Sequence, residues 1–234
     1  MKNAHAALKT AIAAKGVAVP EGTKLTDMPA LVEQISTEPV PTNPRAVFGY
    51  DTSTTSIVVP KTLVVDMLAV DDLTNCFSNC SSLSSISFPE GFGRTATKIG
   101  GCFSSCTSLT SLVLPDGFGQ NATILSFNRL IGCFYNCKAL ESLHLPSGFG
   151  QNATNLVNCF SNCTALKTIT GNPNFRVSLS MSACNNLTHD SIMVVINGLQ
   201  TVTEAQTFTL GSANLAKLTE ADKKIATDKG WTLA

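Results

Sequence analysis

The sequence predicts an α/β repeat: a short solenoid of about four to five coils, each with one short strand and a helical turn, set between a small helical N-terminal segment and an α/β C-terminal cap. Three observations predict it. A five-residue phrase recurs four times. Each copy leads into the same pattern of apolar residues, and three of the four then close on a proline followed by two glycines.

The phrase is Cys-Phe-x-x-Cys, at Cys76 to Cys80, Cys102 to Cys106, Cys133 to Cys137 and Cys159 to Cys163. Successive first cysteines stand 26, 31 and 26 residues apart (102−76, 133−102, 159−133), which is the period of a stacked structural unit. Cysteines four apart suit one helical turn with both thiols on the same face. The pattern that follows is Leu83/Ile86/Phe88, Leu109/Leu112/Leu114, Leu140/Leu143/Leu145 and Leu166/Ile169, with Thr170 where the last apolar residue would stand. Its second and third positions alternate as a strand requires, and the first comes off the preceding bend. Pro89 to Gly93, Pro115 to Gly119 and Pro146 to Gly150 read Pro-x-Gly-Phe-Gly. The proline ends the strand and the glycines free the backbone to turn. A coil of this length cannot bury a core alone, so its stability has to come from stacking on its neighbours.

The ninth cysteine extends the pattern. Cys184-Asn185-Asn186-Leu187 aligns with Cys163-Thr164-Ala165-Leu166, which makes Cys184 the second cysteine of a shortened fifth coil, with Ser180 in the first cysteine's place. Cys76, Cys80, Cys102, Cys106, Cys133, Cys137, Cys159, Cys163 and Cys184 are therefore expected to stack as ladders of small, buried, free thiols inside the bends. Disulfides and a four-cysteine zinc site are the open alternatives, since the spacing brings cysteines together in close pairs. Zinc would leave the regular period unexplained, and no cofactor is expected.

Gly101-Cys102-Phe103-Ser104-Ser105-Cys106-Thr107-Ser108-Leu109-Thr110-Ser111-Leu112-Val113-Leu114-Pro115 resembles the repeat of the BspA-type leucine-rich repeats, Gly-x-x-Phe-x-x-Cys-x-x-Leu-x-x-Ile-x-Leu-Pro. The resemblance covers about residues 70 to 187 and departs from the family phrase in the extra first cysteine and the Gly-Phe-Gly turn. It implies a leucine-rich repeat solenoid in a surface or interaction protein without enzymatic activity.

Residues 1–36 read as a small helical segment. Leu8 and Ile12 lie four apart in an alanine-rich stretch that stops at Gly16, and a second helix starts near Asp27 with Leu31, Val32 and Ile35 as its apolar stripe. Residues 37–45 hold Pro39, Pro41 and Pro44 and read as a linker, and 46–187 as the solenoid. The phrase from Gly16 to Val32 is similar to N-terminal segments of bacteriophage and prophage structural proteins. That resemblance implies that this end attaches to a virion, with Leu8, Ile12, Leu31 and Ile35 as the attaching residues; independently of it, residues 1–36 are too few to bury a core alone, so the segment is expected to dock on something or to self-associate into a homo-oligomer. Residues 188–234 are expected to cap the stack. Thr188 caps a helix carrying Ile192, Val195, Ile196 and Leu199, Gln206 to Leu210 forms a strand, a charged helix follows Leu218, and Trp231 to Leu233 adds a last strand.

Sixteen basic and sixteen acidic residues balance, and no basic stripe exists to hold a nucleic-acid backbone. No stretch approaches the roughly 20 apolar residues of a membrane span. Asn3, His5 and Lys9 interrupt the early alanine run, so no signal peptide is read there. His5, His144 and His189 lie in separate segments and join no catalytic constellation.

Two surfaces are expected to meet a protein partner. One is the solvent side of the strands, with columns Ser85, Ser111, Ser142, Thr168 and Ser87, Val113, His144, Thr170, a small, weakly polar and flat face on which Val113 and His144 are the candidate contacts. The other is an insertion of five residues between Thr123 and Cys133, within Ile124 to Ile131, with Ser126, Phe127, Asn128, Arg129 and Leu130 as candidate contacts and a tolerated bulge as the open alternative. The expected function is a non-enzymatic structural or accessory protein of a phage virion, made in the host cytoplasm, that binds other virion proteins or a host receptor. The alternative is a cytoplasmic bacterial interaction protein unrelated to a particle.

Overall fold

A computed structural model describes residues 48–59, 71–127 and 131–234, with Ser126, Phe127 and Ile131 described by their backbone alone. The expected attachment residues Leu8, Ile12, Leu31 and Ile35, and the insertion residues Asn128, Arg129 and Leu130, lie outside the described residues. The elements are β1 (Ser56–Val58), β2 (Ser85–Ser87), β3 (Ser111–Val113), β4 (Ser126–Phe127), β5 (Ile131–Gly132), β6 (Ser142–Leu145), β7 (Thr168–Gly171), β8 (Leu179–Ser180), α1 (His189–Asn197), β9 (Gln206–Thr209), α2 (Ser212–Leu215), α3 (Glu220–Asp228) and β10 (Trp231–Leu233). It is a repeat protein of short strands and few helices, its sheets open rather than closed.

The leucine pattern sets the strand registers. β1 pairs with β2, and β3 with β6 and β6 with β7, all parallel. Ile57 lies opposite Ile86, and Leu112, Leu143 and Ile169 lie side by side, so equivalent positions of successive coils stack. Because side chains alternate across a strand, Ile57, Leu112, Leu143 and Ile169 are buried while their neighbours face outward.

Two phenylalanine stacks fill the interior. Phe48, Phe77, Phe103, Phe134 and Phe160 run through five levels with ring centroids 5.1, 5.3, 5.9 and 5.5 Å apart. Phe92 and Phe118, 6.1 Å apart, begin a second stack that continues at Phe149 and Phe175, 6.3 Å apart. The Pro-x-Gly-Phe-Gly turn explains the second stack. A Cβ on Gly93 (φ +71°) would stand 2.4 Å from the ring of Phe118, so the next coil's phenylalanine rests where only a glycine leaves room.

The Cys-Phe-x-x-Cys phrases correct the expected helical turn. Each is a run of hydrogen-bonded turns broken by a left-handed residue: Asn79, Ser105, Asn136 and Asn162 have φ between +60° and +62°. Alternate amides therefore point out of the coil and bond to the next one, as Phe77 N to Cys102 O (2.8 Å) and Asn79 N to Ser104 O (2.7 Å). A helix would spend those donors within its own chain. Asparagine tolerates the left-handed region better than most residues, and it occupies the position in three of the four copies.

The structure also contains a coil that the cysteine pattern hides. Phe48 precedes Ile57 by nine residues, as Phe77 precedes Ile86, and Tyr50 (φ +69°) occupies the left-handed position of Asn79. Asp51 stands in place of the second cysteine and Thr54 in place of the leucine. The Asp51 carboxylate accepts from Ser53 N (2.9 Å), Ser53 Oγ (2.7 Å) and Thr54 N (3.2 Å), closing the bend within its own coil.

At the other end, position 187 is no break in the packing. β8, before it, pairs with β9, and β9 with β10, in one parallel sheet. α1 replaces a strand beside β7, and the edge amide of Ile169 donates to Ser191 Oγ (3.0 Å) instead of to another strand. Thr188 and Thr219 cap α1 and α3 at their N-termini, the second in a capping box with Asp222. Lys229 Nζ donates to Ile196 O (3.1 Å) and Asn197 O (2.7 Å), closing the C-terminus of α1.

Candidate interaction surface

The outward residues of the strands form the two expected columns, and the hidden first coil extends each by one residue. Ser56 joins the first beside Ser85, and Val58 joins the second beside Ser87. Val113 and His144 are register partners, as are His144 and Thr170, so the structure brings the two expected contact residues side by side. Val58 and Val113 are the most exposed large apolar side chains described, at 64% and 67%. His144 is half-buried, its Nδ1 3.0 Å from Thr170 Oγ1, so its ring lies along the face. Apart from that ring, every side chain in the columns ends within two or three atoms of the backbone. The result is a flat, weakly polar platform bordered by the exposed Glu141–Lys167 ion pair (3.1 Å).

The insertion emerges elsewhere on the coil. Its two arms, β4 and β5, pair antiparallel within a stack whose other strands pair parallel, with Ser126 opposite Gly132 and Phe127 opposite Ile131. They follow the line of parallel bridges that runs Asp72, Lys98, Ile124, Asn155, a line distinct from the strand columns. The hairpin and the Val113–His144 face are therefore two separate surfaces. Gly132 fixes the hairpin's root, since a Cβ there would lie 2.2 Å from the Cys159 Cα. Beside the root stand two exposed apolar residues, Ile124 (38%) and Val157 (48%).

All nine cysteines are buried free thiols. The second cysteine of each phrase has a specific partner. Cys80, Cys106, Cys137, Cys163 and Cys184 donate S–H to the backbone carbonyls of Phe48, Phe77, Phe103, Phe134 and Phe160, each one coil earlier, across 3.1, 3.2, 3.0, 3.1 and 3.6 Å. The thiol thus links coil to coil while adding little polarity to the core. Burial pushes Cys80, Cys159 and Cys184 up to about 12 and raises Cys102, Cys106, Cys133, Cys137 and Cys163 as well. Thiols in that state are poor nucleophiles and poor metal ligands. Among the described residues no three His, Cys, Asp or Glu side chains gather as a metal site needs.

The model of the BspA-type leucine-rich repeat region matches the chain in six copies, over residues 43–128 and 73–209. This chain belongs to the BspA-type leucine-rich repeat family. No curated protein and no solved structure matches it. Leucine-rich repeat proteins are in general protein-binding and non-enzymatic, and the match reaches beyond the cysteine phrases at both ends. It takes in the hidden first coil and extends through β9, well past the boundary expected at 187.

On this BspA-type stack His144 lies on the strand face and His189 ties two helices together, while His5 lies outside the described residues. His189, on α1, sets Nε2 3.1 Å from Asp222 Oδ2 and Nδ1 3.4 Å from Asp190 Oδ1. Asp222 in turn accepts from Thr219 N (2.8 Å) and Thr219 Oγ1 (2.7 Å), tying α1 to the cap of α3. No helix among the described residues is long and apolar enough to cross a membrane. Sequence reasoning missed Tyr50, Val58, Ile124 and Val157 as surface residues. Aligning Phe48–Val59 on Phe77–Phe88 would have found the first two, whereas Ile124 and Val157 sit at core-like spacing and carry no sequence signal of exposure.

Proposed function

We propose that the chain is a non-enzymatic protein-binding scaffold of a phage particle, presenting the Val58–Val113–His144 strand face and the insertion at Ser126 to Leu130 to another protein. The observation that carries the binding reading is the platform itself. Two bare valines and a histidine lie on a flat ground of short serine and threonine side chains, whose hydroxyls a partner would have to satisfy with hydrogen bonds of its own. The phage reading rests on the likeness of Gly16 to Val32 to virion segments, with Leu8, Ile12, Leu31 and Ile35 as attaching residues. A bacterial interaction protein outside any particle is the second reading, favoured by the family match alone.

Two experiments test the proposal. Purified particles should contain the chain, with residues 1–36 protected from protease; recovery of the chain only as a free cytosolic monomer overturns the phage reading. In pull-downs from the same source, Val113→Arg with His144→Glu, or removal of Ser126 to Leu130, should abolish capture of the partner while leaving the thermal midpoint within a few degrees. Capture unchanged in both variants overturns the assignment of the surface.

A further inference from the structure

Three steps of the stack repeat one bonding pattern on the strand side. The amides of Ser84 and Ser85 share Thr55 O (2.8 and 3.3 Å), those of Glu141 and Ser142 share Thr110 O (2.8 and 3.2 Å), and those of Lys167 and Thr168 share Glu141 O (3.0 and 3.0 Å). In the first two of these steps Val59 N and Leu114 N also reach forward to Ser87 O (3.0 Å) and His144 O (3.4 Å). The step from β2 to β3 is the exception. The equivalent donors, Thr110 N, Ser111 N and Phe88 N, make none of these bonds, and among the described residues β2 pairs with β1 alone and β3 with β6 alone.

The opposite side of that step is intact. Leu73 N, Asn75 N, Phe77 N and Asn79 N donate to Lys98 O, Gly100 O, Cys102 O and Ser104 O across 2.8, 3.0, 2.8 and 2.7 Å, and Phe77 stacks on Phe103 at 5.3 Å. The two coils are fastened along their cysteine phrases and parted along their strands. Phe88 explains the parting. Its position holds Val59, Leu114 and Leu145 in other coils. The larger ring lies against Phe92 (4.9 Å), Phe77 (5.8 Å) and, in the following coil, Phe103 (6.0 Å), and so fills space into which the strands would otherwise close. Ile86 and Phe88 are half-buried where Ile57, Leu112, Leu143 and Ile169 are buried, as an open seam requires.

We propose that the seam between β2 and β3 is a hinge: Phe88 wedges the strands apart, and the first two coils tilt about the bonded cysteine side against the rest of the stack. Val58 lies on one side of the seam and Val113 on the other, so the tilt sets the spacing of the two exposed valines. The hinge stands whether or not the strand face binds a protein; only its use, a partner on both valines fixing the angle, rests on that reading.

Hydrogen exchange and spin-label distances on the full chain test it. In the parent, the amides of Phe88, Thr110 and Ser111 should exchange within about tenfold of unfolded rates, and those of Ser85, Ser142 and Thr168 at least about a hundredfold slower. Labels at Val58→Cys and Thr170→Cys span the seam, and the native thiols are buried from the reagent. Their distance distribution should be about twice as broad with Phe88 as in Phe88→Leu, where the smaller side chain lets the ladder close and slows the seam amides. If Phe88→Leu fails to fold, Phe88→Val is read by the same criterion. Protection of Thr110 and Ser111 in the parent equal to that of Ser142 and Thr168, a distribution of the same width in parent and variant, or failure of both variants to fold overturns the proposal.

Discussion

Cysteine reactivity puts the ladder to a quantitative test. Consider a chromogenic disulfide reagent added to the native protein at about pH 8. A thiol at its ordinary value of 9.0 is about one-tenth thiolate there, and one held at about 12, as Cys80, Cys159 and Cys184 are, is about one part in ten thousand. That thousandfold deficit is partly offset because a more basic thiolate attacks faster, which leaves a net slowing of about fortyfold from ionisation alone. Burial adds the cost of opening a coil, so the combined slowing should exceed about a thousandfold. The expected result is no reacting thiol over minutes in buffer and all nine after denaturation without reductant. In graded denaturant, thiols should appear in blocks that follow the opening of coils. One thiol reacting near the free-cysteine rate refutes the buried ladder. Fewer than nine in denaturant would mean disulfides, and stoichiometric zinc in protein purified without chelator would mean a metal site.

Three further outcomes follow from the packing and the charges. Phe103→Ala removes a fully buried ring stacked at 5.3 Å on Phe77 and 5.9 Å on Phe134, and should cost about 4 to 5 kcal/mol in a urea melt; a loss under about 2 kcal/mol would contradict the stack. Gly171→Ala, at φ +103° with its Cβ 1.8 Å from Leu145 O, should cost more than about 3 kcal/mol, while Gly91→Ala, at φ +80° in open space, should cost only about 1 to 2 kcal/mol. Equal effects on the midpoint would undo that distinction. His189 is largely exposed, so the contribution of its pair with Asp222 is small, but its sign is defined. Hydrogen bonds to Asp222 and Asp190 raise the histidine above 6.5, so its stabilisation is full below that pH and is lost as pH rises through the folded value. Asp222, lowered to about 2 by Thr219 and His189, contributes above 3.8 and loses its share as pH falls through about 2. His189→Gln should therefore lower the thermal midpoint near pH 5.5 and leave it unchanged near pH 9.

Much of this architecture is readable from the chain alone, because a repeat states its own register. The spacing of Leu112, Leu143 and Ile169 places them side by side, and the columns carrying Val113 and His144 follow without coordinates. The insertion is visible as five residues too many, but whether it forms a bulge or a hairpin is decided by the pairing of Phe127 with Ile131. The first coil escaped because its signature residues are replaced. Asp51 and Thr54 stand where a cysteine and a leucine stand elsewhere, and Asp51 bonds within its own bend instead of to another coil.

Sequence by itself determined the repeat, its period, one short strand per coil, the inward and outward residues and the family, since all of these rest on periodicity and local chain geometry. Tertiary structure decided what depends on contacts between coils. Cysteines four apart fit a helical turn and a left-handed bend equally well; the bend prevails because it turns alternate amides toward the next coil, where carbonyls wait for them. The second cysteine's S–H finds a carbonyl one coil earlier, and Gly93 makes room for Phe118 in the coil that follows it. A single coil, read alone, contains neither partner.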